Sequence, residues 1–116
     1  DTTETMHLQN SMYFIMRKDI FPTWEDKNNC NGCCISFKII SKDIKQTWNK
    51  CIQNILCENI HKNSEKYDNI NGISISPKKE FNIIKIWFKC KIKNIDNILN
   101  IDDKYINSKN SMIKNN

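Results

Sequence analysis

Apolar and polar positions alternate strictly along three stretches of this chain and recur at three- and four-residue spacing along two others. Ile35, Phe37 and Ile39 are separated by Ser36 and Lys38, the period-2 mark of a half-buried strand. Gly72-Ile73-Ser74-Ile75-Ser76 repeats that pattern, Pro77-Lys78-Lys79-Glu80 supplies a turn, and Asn82 to Lys93 alternates again, so a hairpin is predicted. In its second strand Ile84, Ile86, Phe88, Cys90 and Ile92 form the face that belongs in a core. Ile83, Lys85, Trp87, Lys89 and Lys91 form the other. Met12 to Lys18 is a shorter β-prone run. Pro22 has no N–H to donate, so it closes that strand or sits at an edge.

Ile44, Trp48, Cys51, Ile52 and Ile55 line one face of a predicted helix that Ser41 is placed to cap and that ends near Glu58. Ile95, Ile98, Leu99, Asp102, Tyr105 and Ile106 predict a second amphipathic helix. Polar residues 26–32 and 61–69 are expected as loops. Strands mixed with two one-faced helices give an α+β class, an antiparallel sheet covered by helices on one side. One domain is expected over residues 12–107, with residues 1–11 as a flexible arm and the Asn- and Lys-rich residues 108–116 as a disordered tail.

Composition adds constraints. The 116 residues carry a net charge of +5, which suits a phosphate-rich partner. Asn, Ile and Lys dominate and Arg17 is the single arginine, a bias typical of A/T-rich genomes, so an individual Lys or Asn carries little weight. Six cysteines invite a disulfide framework. However, no basic, apolar-cored leader opens the sequence, and Cys30, Cys33 and Cys34 are bunched. A reducing compartment, cytosol or nucleus, is expected. A structural zinc site needs four ligands. Beyond Cys30-x-x-Cys33, the remaining Cys51, Cys57 and Cys90 and the histidines His7 and His61 form no second paired motif, so neither metal nor cofactor is expected. No phosphate loop, nucleophile elbow or dinucleotide fingerprint is present, and the chain is expected to be no enzyme. No run approaches the ~18 apolar residues of a membrane span.

Trp24-Glu25-Asp26 sets an aromatic beside a carboxylate in an expected loop. A guanine offers N1–H and N2–H on one edge, and one ionised carboxylate accepts both. Readers of single nucleotides stack the base on aromatics while bonding its edge. Methylation at N7 makes the base cationic, which adds about 0.5–2 kcal/mol over an indole face. The plainer reading is a core Trp beside a surface acid. Trp87 either packs under the sheet or walls a pocket. Lys78 and Lys79 either hold phosphates as point charges or are a solvated turn.

The order of these features resembles the eukaryotic translation initiation factor 4E family. Tyr13-Phe14-Ile15-Met16 followed by Ile20-Phe21-Pro22-Thr23-Trp24-Glu25-Asp26 is similar to the family's strand, proline and Trp-Glu-Asp. Thr47-Trp48 through Leu56-Cys57-Glu58 is similar to its central helix. Gly72-Ile73-Ser74-Ile75 through Lys85-Ile86-Trp87 is similar to its glycine-started strand, basic turn and Trp-ending strand. The resemblance spans roughly residues 12–106. It implies a curved sheet backed by helices that holds the 7-methylguanosine cap of messenger RNA. Trp24 then stacks on the base, Glu25 reads its edge, Trp87 approaches the methyl group, and Lys78, with Lys79, meets phosphate. Capped mRNA and an initiation factor 4G-like scaffold are the implied partners.

Several positions depart from the family. The sequence is expected to lack the N-terminal strand with the second sandwich Trp, the early helix and the last strand. Ile83 stands where a basic residue is expected, with Lys85 on the same face to compensate. Gly32 stands alone where paired glycines are expected. Asn49 and Gln53 replace apolar residues that help dock a scaffold peptide. These departures imply an alternative, an interaction protein of the same fold that binds no cap. Uncovered sheet edges further suggest pairing with a second copy as a homodimer.

Overall fold

The structure, a computed structural model, describes residues 4–9, 12–17, 20, 25–27, 29–57, 60–63, 66, 69–95, 98–107 and 109–115. Six strands form one antiparallel sheet: β1 (Glu4–Gln9), β2 (Met12–Arg17), β3 (Cys33–Ile40), β4 (Ile70–Pro77), β5 (Phe81–Phe88) and β6 (Ser111–Asn115), in the order β1-β2-β4-β5-β3-β6. A single 3-10 turn at Ser41–Asp43 leads into the helix α1 (Ile44–Leu56). The α+β class, with an antiparallel sheet backed on one face, is therefore found.

The register explains the core. Ile15, Ile73, Ile86, Ile35 and Ile113 stand opposite one another across five strands. With Phe37, Ile39, Ile84 and Phe88 they make one apolar face, against which Cys51 and Ile55 of α1 bury and Trp48 and Ile52 pack. Branched aliphatic side chains suit this pleated surface, and the three- and four-residue spacing of α1 brings one stripe onto it. Because side chains alternate, Phe14, Met16, Cys34, Lys85 and Trp87 are forced to the opposite, open face.

Several elements differ from expectation. Residues 4–9 are not a loose arm but strand β1, paired along its length with β2. The tail is not disordered over residues 111–115, which pair with β3 as β6. Asn110 fixes its start by donating to the Lys38 and Tyr105 carbonyls, and the Ser111 hydroxyl donates to Tyr105 as well. Ser41 opens the 3-10 turn, and the residue at the helix cap is Asp43, whose carboxylate makes no capping bond and instead accepts from the Tyr105 hydroxyl at 2.8 Å. Strand β5 stops at Phe88, short of Cys90 and Ile92.

The second helix does not form among the described residues of 95–106. Its apolar residues still pack on the core, but polar side chains take over the backbone. Asp102 accepts from the Lys104 amide, and Asn107 donates to the Asp103 and Lys104 carbonyls. Asn and Asp compete with helical hydrogen bonds in this way. Leu99 also bridges to His61, with Lys62 and Asn100 amides donating across the pair of segments.

Candidate functional site

The turn carrying Glu25 is built by backbone hydrogen bonds. The amides of Asn29 and Cys30 both donate to the Asp26 carbonyl, and the Gly32 amide donates to Asn29. Glu25 is exposed on this turn. Asn29 is fully buried, and its side-chain oxygen accepts a 2.8 Å bond from the side-chain Nδ2 of Asn71. Asn71 is the bulged residue of β4: Ile70 faces Phe88 while Gly72 already faces Trp87. A bulge re-aims one side chain out of the ladder, and here that side chain ties the Glu25 turn to the sheet. Gly32 completes the joint, since a Cβ there runs into the Phe88 carbonyl. The Glu25 turn and Trp87 thus share one end of the sheet.

Trp87 is only 8% exposed. Its indole N–H donates to the buried Ser74 hydroxyl at 3.1 Å, and its ring lies 6.4 Å from that of Phe14, tilted by 60°. Phe14, Met16, Ile20, Cys34 and Trp87 form a second, smaller apolar cluster on the open face. Gly72 has no room for a Cβ because the Met16 sulfur and the Ile15 carbonyl each approach to 2.5 Å.

Lys78 and Lys79 are exposed in the β4–β5 turn, which closes with the Lys78 amide donating to the Phe81 carbonyl. They lie at the opposite end of the hairpin from Trp87, about 20 Å away at the usual strand rise. Lys85 stands between, on the same face and two residues from Trp87. Trp24 lies outside the described residues. Glu25 and Trp87 are therefore brought to one end, and Lys78 and Lys79 to the other.

The open face holds further cations that the hydrophobic pattern alone did not single out. Lys114 of β6 and Trp87 of β5 stand on either side of Cys34 in one row. Burial pushes the Cys34 thiol up to about 12, while Lys85 and Lys114 act in the opposite direction. The short apolar pair Met112-Ile113 was the available signal for this strand, hidden by the Asn and Lys around it. Among the described residues no group of three or more His, Cys, Asp or Glu is arranged to hold a metal ion. Among the described residues no helix is long and apolar enough to cross a membrane. A cavity of about 340 Å³ lies elsewhere, between α1 and residues 100–105, lined by Lys50, Asn54, Asp102 and Tyr105 among others.

With this geometry the chain was compared with known proteins. The family model described as eukaryotic initiation factor 4E matches residues 2–114. The chain belongs to this initiation factor 4E family. Among curated relatives, the initiation factor 4E homolog of Acanthamoeba polyphaga mimivirus is 36% identical over 76 residues, covering 66% of this chain and 28% of the relative. Initiation factor 4E of Saccharomyces cerevisiae is 31% identical over 97 residues, covering 82% of this chain and 43% of the yeast protein. The chain thus spans less than half the length of these relatives. The fold agrees with Ascaris suum eIF4E-3 solved with an m7G cap, at a TM-score of 0.58 and 22% identity over 71% of this chain and 46% of that one. It agrees also with schistosome eIF4E solved with m7GpppG and 4E-BP, at 0.64 and 19% over 71% and 45%. The family match takes in β1 and all but the last residue of β6, the two strands that the resemblance over residues 12–106 left out.

Proposed function

We propose that this chain binds the 7-methylguanosine cap of messenger RNA in translation initiation and catalyses no reaction. The Glu25 turn carries the reading. It presents a carboxylate beside the Trp87 end of the sheet, in a family whose solved members include cap complexes. In this reading Trp24 stacks on the methylated base and Glu25 accepts from its N1–H and N2–H. Trp87 backs the methyl group as part of the packed open-face cluster. The phosphates run along β5 past Lys85 toward Lys78 and Lys79.

Other partners follow from the same reading. An initiation factor 4G-like scaffold is a candidate for the outer side of α1, where exposed Asn49 and Gln53 weaken an apolar contact. The outer strands β1 and β6 are candidates for pairing with a second copy. The site of action is the cytoplasm.

One observation favours the alternative, an interaction protein of the same fold without cap affinity: Trp87 is almost wholly packed and its N–H is satisfied by Ser74. Titration with 7-methylguanosine triphosphate, followed by tryptophan fluorescence with GTP as control, separates the two. Cap binding predicts saturable quenching by the methylated ligand, much weaker quenching by GTP, and loss of the signal in Trp24→Ala. Glu25→Gln is expected to weaken binding by about tenfold to over a hundredfold, the worth of a charge-assisted pair. Equal, weak responses to both ligands in folded protein favour the interaction protein.

A further inference from the structure

Residues 100–105 are tied to α1 at two points. The Tyr105 hydroxyl donates to Asp43 at the start of the helix at 2.8 Å, and the Asn54 side chain donates to the Asn100 carbonyl near its end at 3.2 Å. The ties lie about 16 Å apart along the helix. Between them lies the cavity of about 340 Å³. Packed layers leave few voids larger than a water molecule, whereas small-molecule sites measure about 300–1,000 Å³. Cys51, Ile101 and Tyr105 give the cavity an apolar floor. Burial pushes the Cys51 thiol up to about 12, with Lys50 acting the other way, so the thiol stays neutral. Lys50 and Lys104 line the cavity against one acid, Asp102, whose carboxylate already accepts from the Lys104 amide at 3.0 Å. The Lys104 ammonium lies 3.9 Å from Asp43. Lys50 has no ionic partner among the described residues.

We infer that this cavity binds a small aromatic carboxylate, its ring against Cys51, Ile101 and Tyr105 and its carboxylate on the Lys50 ammonium. Small-molecule sites combine an apolar lining with a few polar groups that fix orientation, and this lining divides in that way. A flat ring suits a slot between a helix and a single segment, and it gains ring–ring contact with Tyr105. A carboxylate gives Lys50 a charge-assisted hydrogen bond, stronger than one to a neutral group. A cationic ligand meets two ammonium groups instead. The cavity lies on the helix side of the sheet, so the inference goes beyond the cap reading and does not require it.

The test is isothermal titration calorimetry of the full chain with 2-naphthoate, and with the uncharged 2-naphthamide as control. The carboxylate is expected to bind saturably and about tenfold tighter than the amide, the worth of one hydrogen bond to a charged group. Lys50→Gln is expected to abolish that preference while leaving the amide unaffected. Gln46→Trp fills the cavity from the helix side and is expected to abolish binding of both. Both positions are exposed on α1, so the variants keep the fold. Equal affinity of the unaltered chain for the two compounds, or no binding of 2-naphthoate, overturns the inference without any variant. So does an unchanged preference in Lys50→Gln, undiminished binding in Gln46→Trp, or displacement of 2-naphthoate by 7-methylguanosine triphosphate. Failure of the cap reading looks different: 7-methylguanosine triphosphate and GTP bind alike while the preference for 2-naphthoate persists.

Discussion

The two faces of the sheet bury apolar groups by different means. On one, five strands supply a continuous row of isoleucines that α1 and Ile92, Ile95, Ile98, Leu99, Tyr105 and Ile106 cover. On the other, Phe14, Met16, Cys34 and Trp87 pack among themselves, with lysines around them. The first face is a core in the ordinary sense, closed by a second layer. The second is a patch just large enough to shelter one indole whose polar edge needs its own partner in Ser74. The contrast teaches that the helix side holds the fold, while the open side is free to carry charge and ligands.

Truncations test that division most severely. Phe37→Ala on the helix side, where the ring is 1% exposed, is expected to cost about 3–5 kcal/mol in urea unfolding. Phe14→Ala on the open side is expected to cost less, about 2–3 kcal/mol, because the smaller cluster collapses more readily around the gap. Equal losses break the comparison.

Trp87→Phe keeps the packing but orphans the Ser74 hydroxyl, which is 1% exposed, and is expected to cost about 1–3 kcal/mol. Ser74→Ala orphans the indole N–H with a similar loss, and the double variant should recover part of it, because neither polar group is then left unpaired. A strictly additive double variant shows that the bond contributes nothing.

Smaller effects belong to the covering layer. Tyr105→Phe removes the hydroxyl bond to Asp43 and is expected to lower stability by about 1 kcal/mol in the same assay. His61, buried where residues 61 and 99 bridge, has a pKa held below the usual 6.5, chiefly by burial and secondarily by Lys66. The unfolded chain therefore binds the proton more readily. His61 supports stability above pH 6.5, and that support drains away as pH falls through the lower folded value. The urea midpoint should drop below pH 6.5 in the unaltered chain and drop less in His61→Asn.

Much of this arrangement was legible in the residues themselves. Period-2 alternation marked β3, β4 and β5 and placed Ile84, Ile86 and Phe88 on the core face. Helical spacing marked α1 from Ile44 to Ile55. These signals are local, and burial of one face enforces them whatever the rest of the chain does. The hairpin turn at Pro77 to Glu80 and the exposed setting of Glu25 were readable for the same reason.

Tertiary structure alone decided the rest. Residues 95–106 carry a helical pattern, yet Asp102 and Asn107 side chains bond to the backbone of residues 103–104 and Leu99 joins His61, because side-chain bonds and a distant segment outweigh a modest helical preference. Residues 4–9 and 111–115 become strands because β2 and β3 offer open ladders, and backbone pairing needs no distinctive side chains. Asn29 and Asn71, 42 residues apart, gave no sign of the bond that ties the Glu25 turn beside Trp87. The same holds for the lysines of the open face. Lys38, Lys85 and Lys114 are scattered in the sequence and become one surface only when antiparallel pairing aligns their strands. A strand's alternation fixes which residues share a side; which strands lie next to one another depends on pairing across the whole chain.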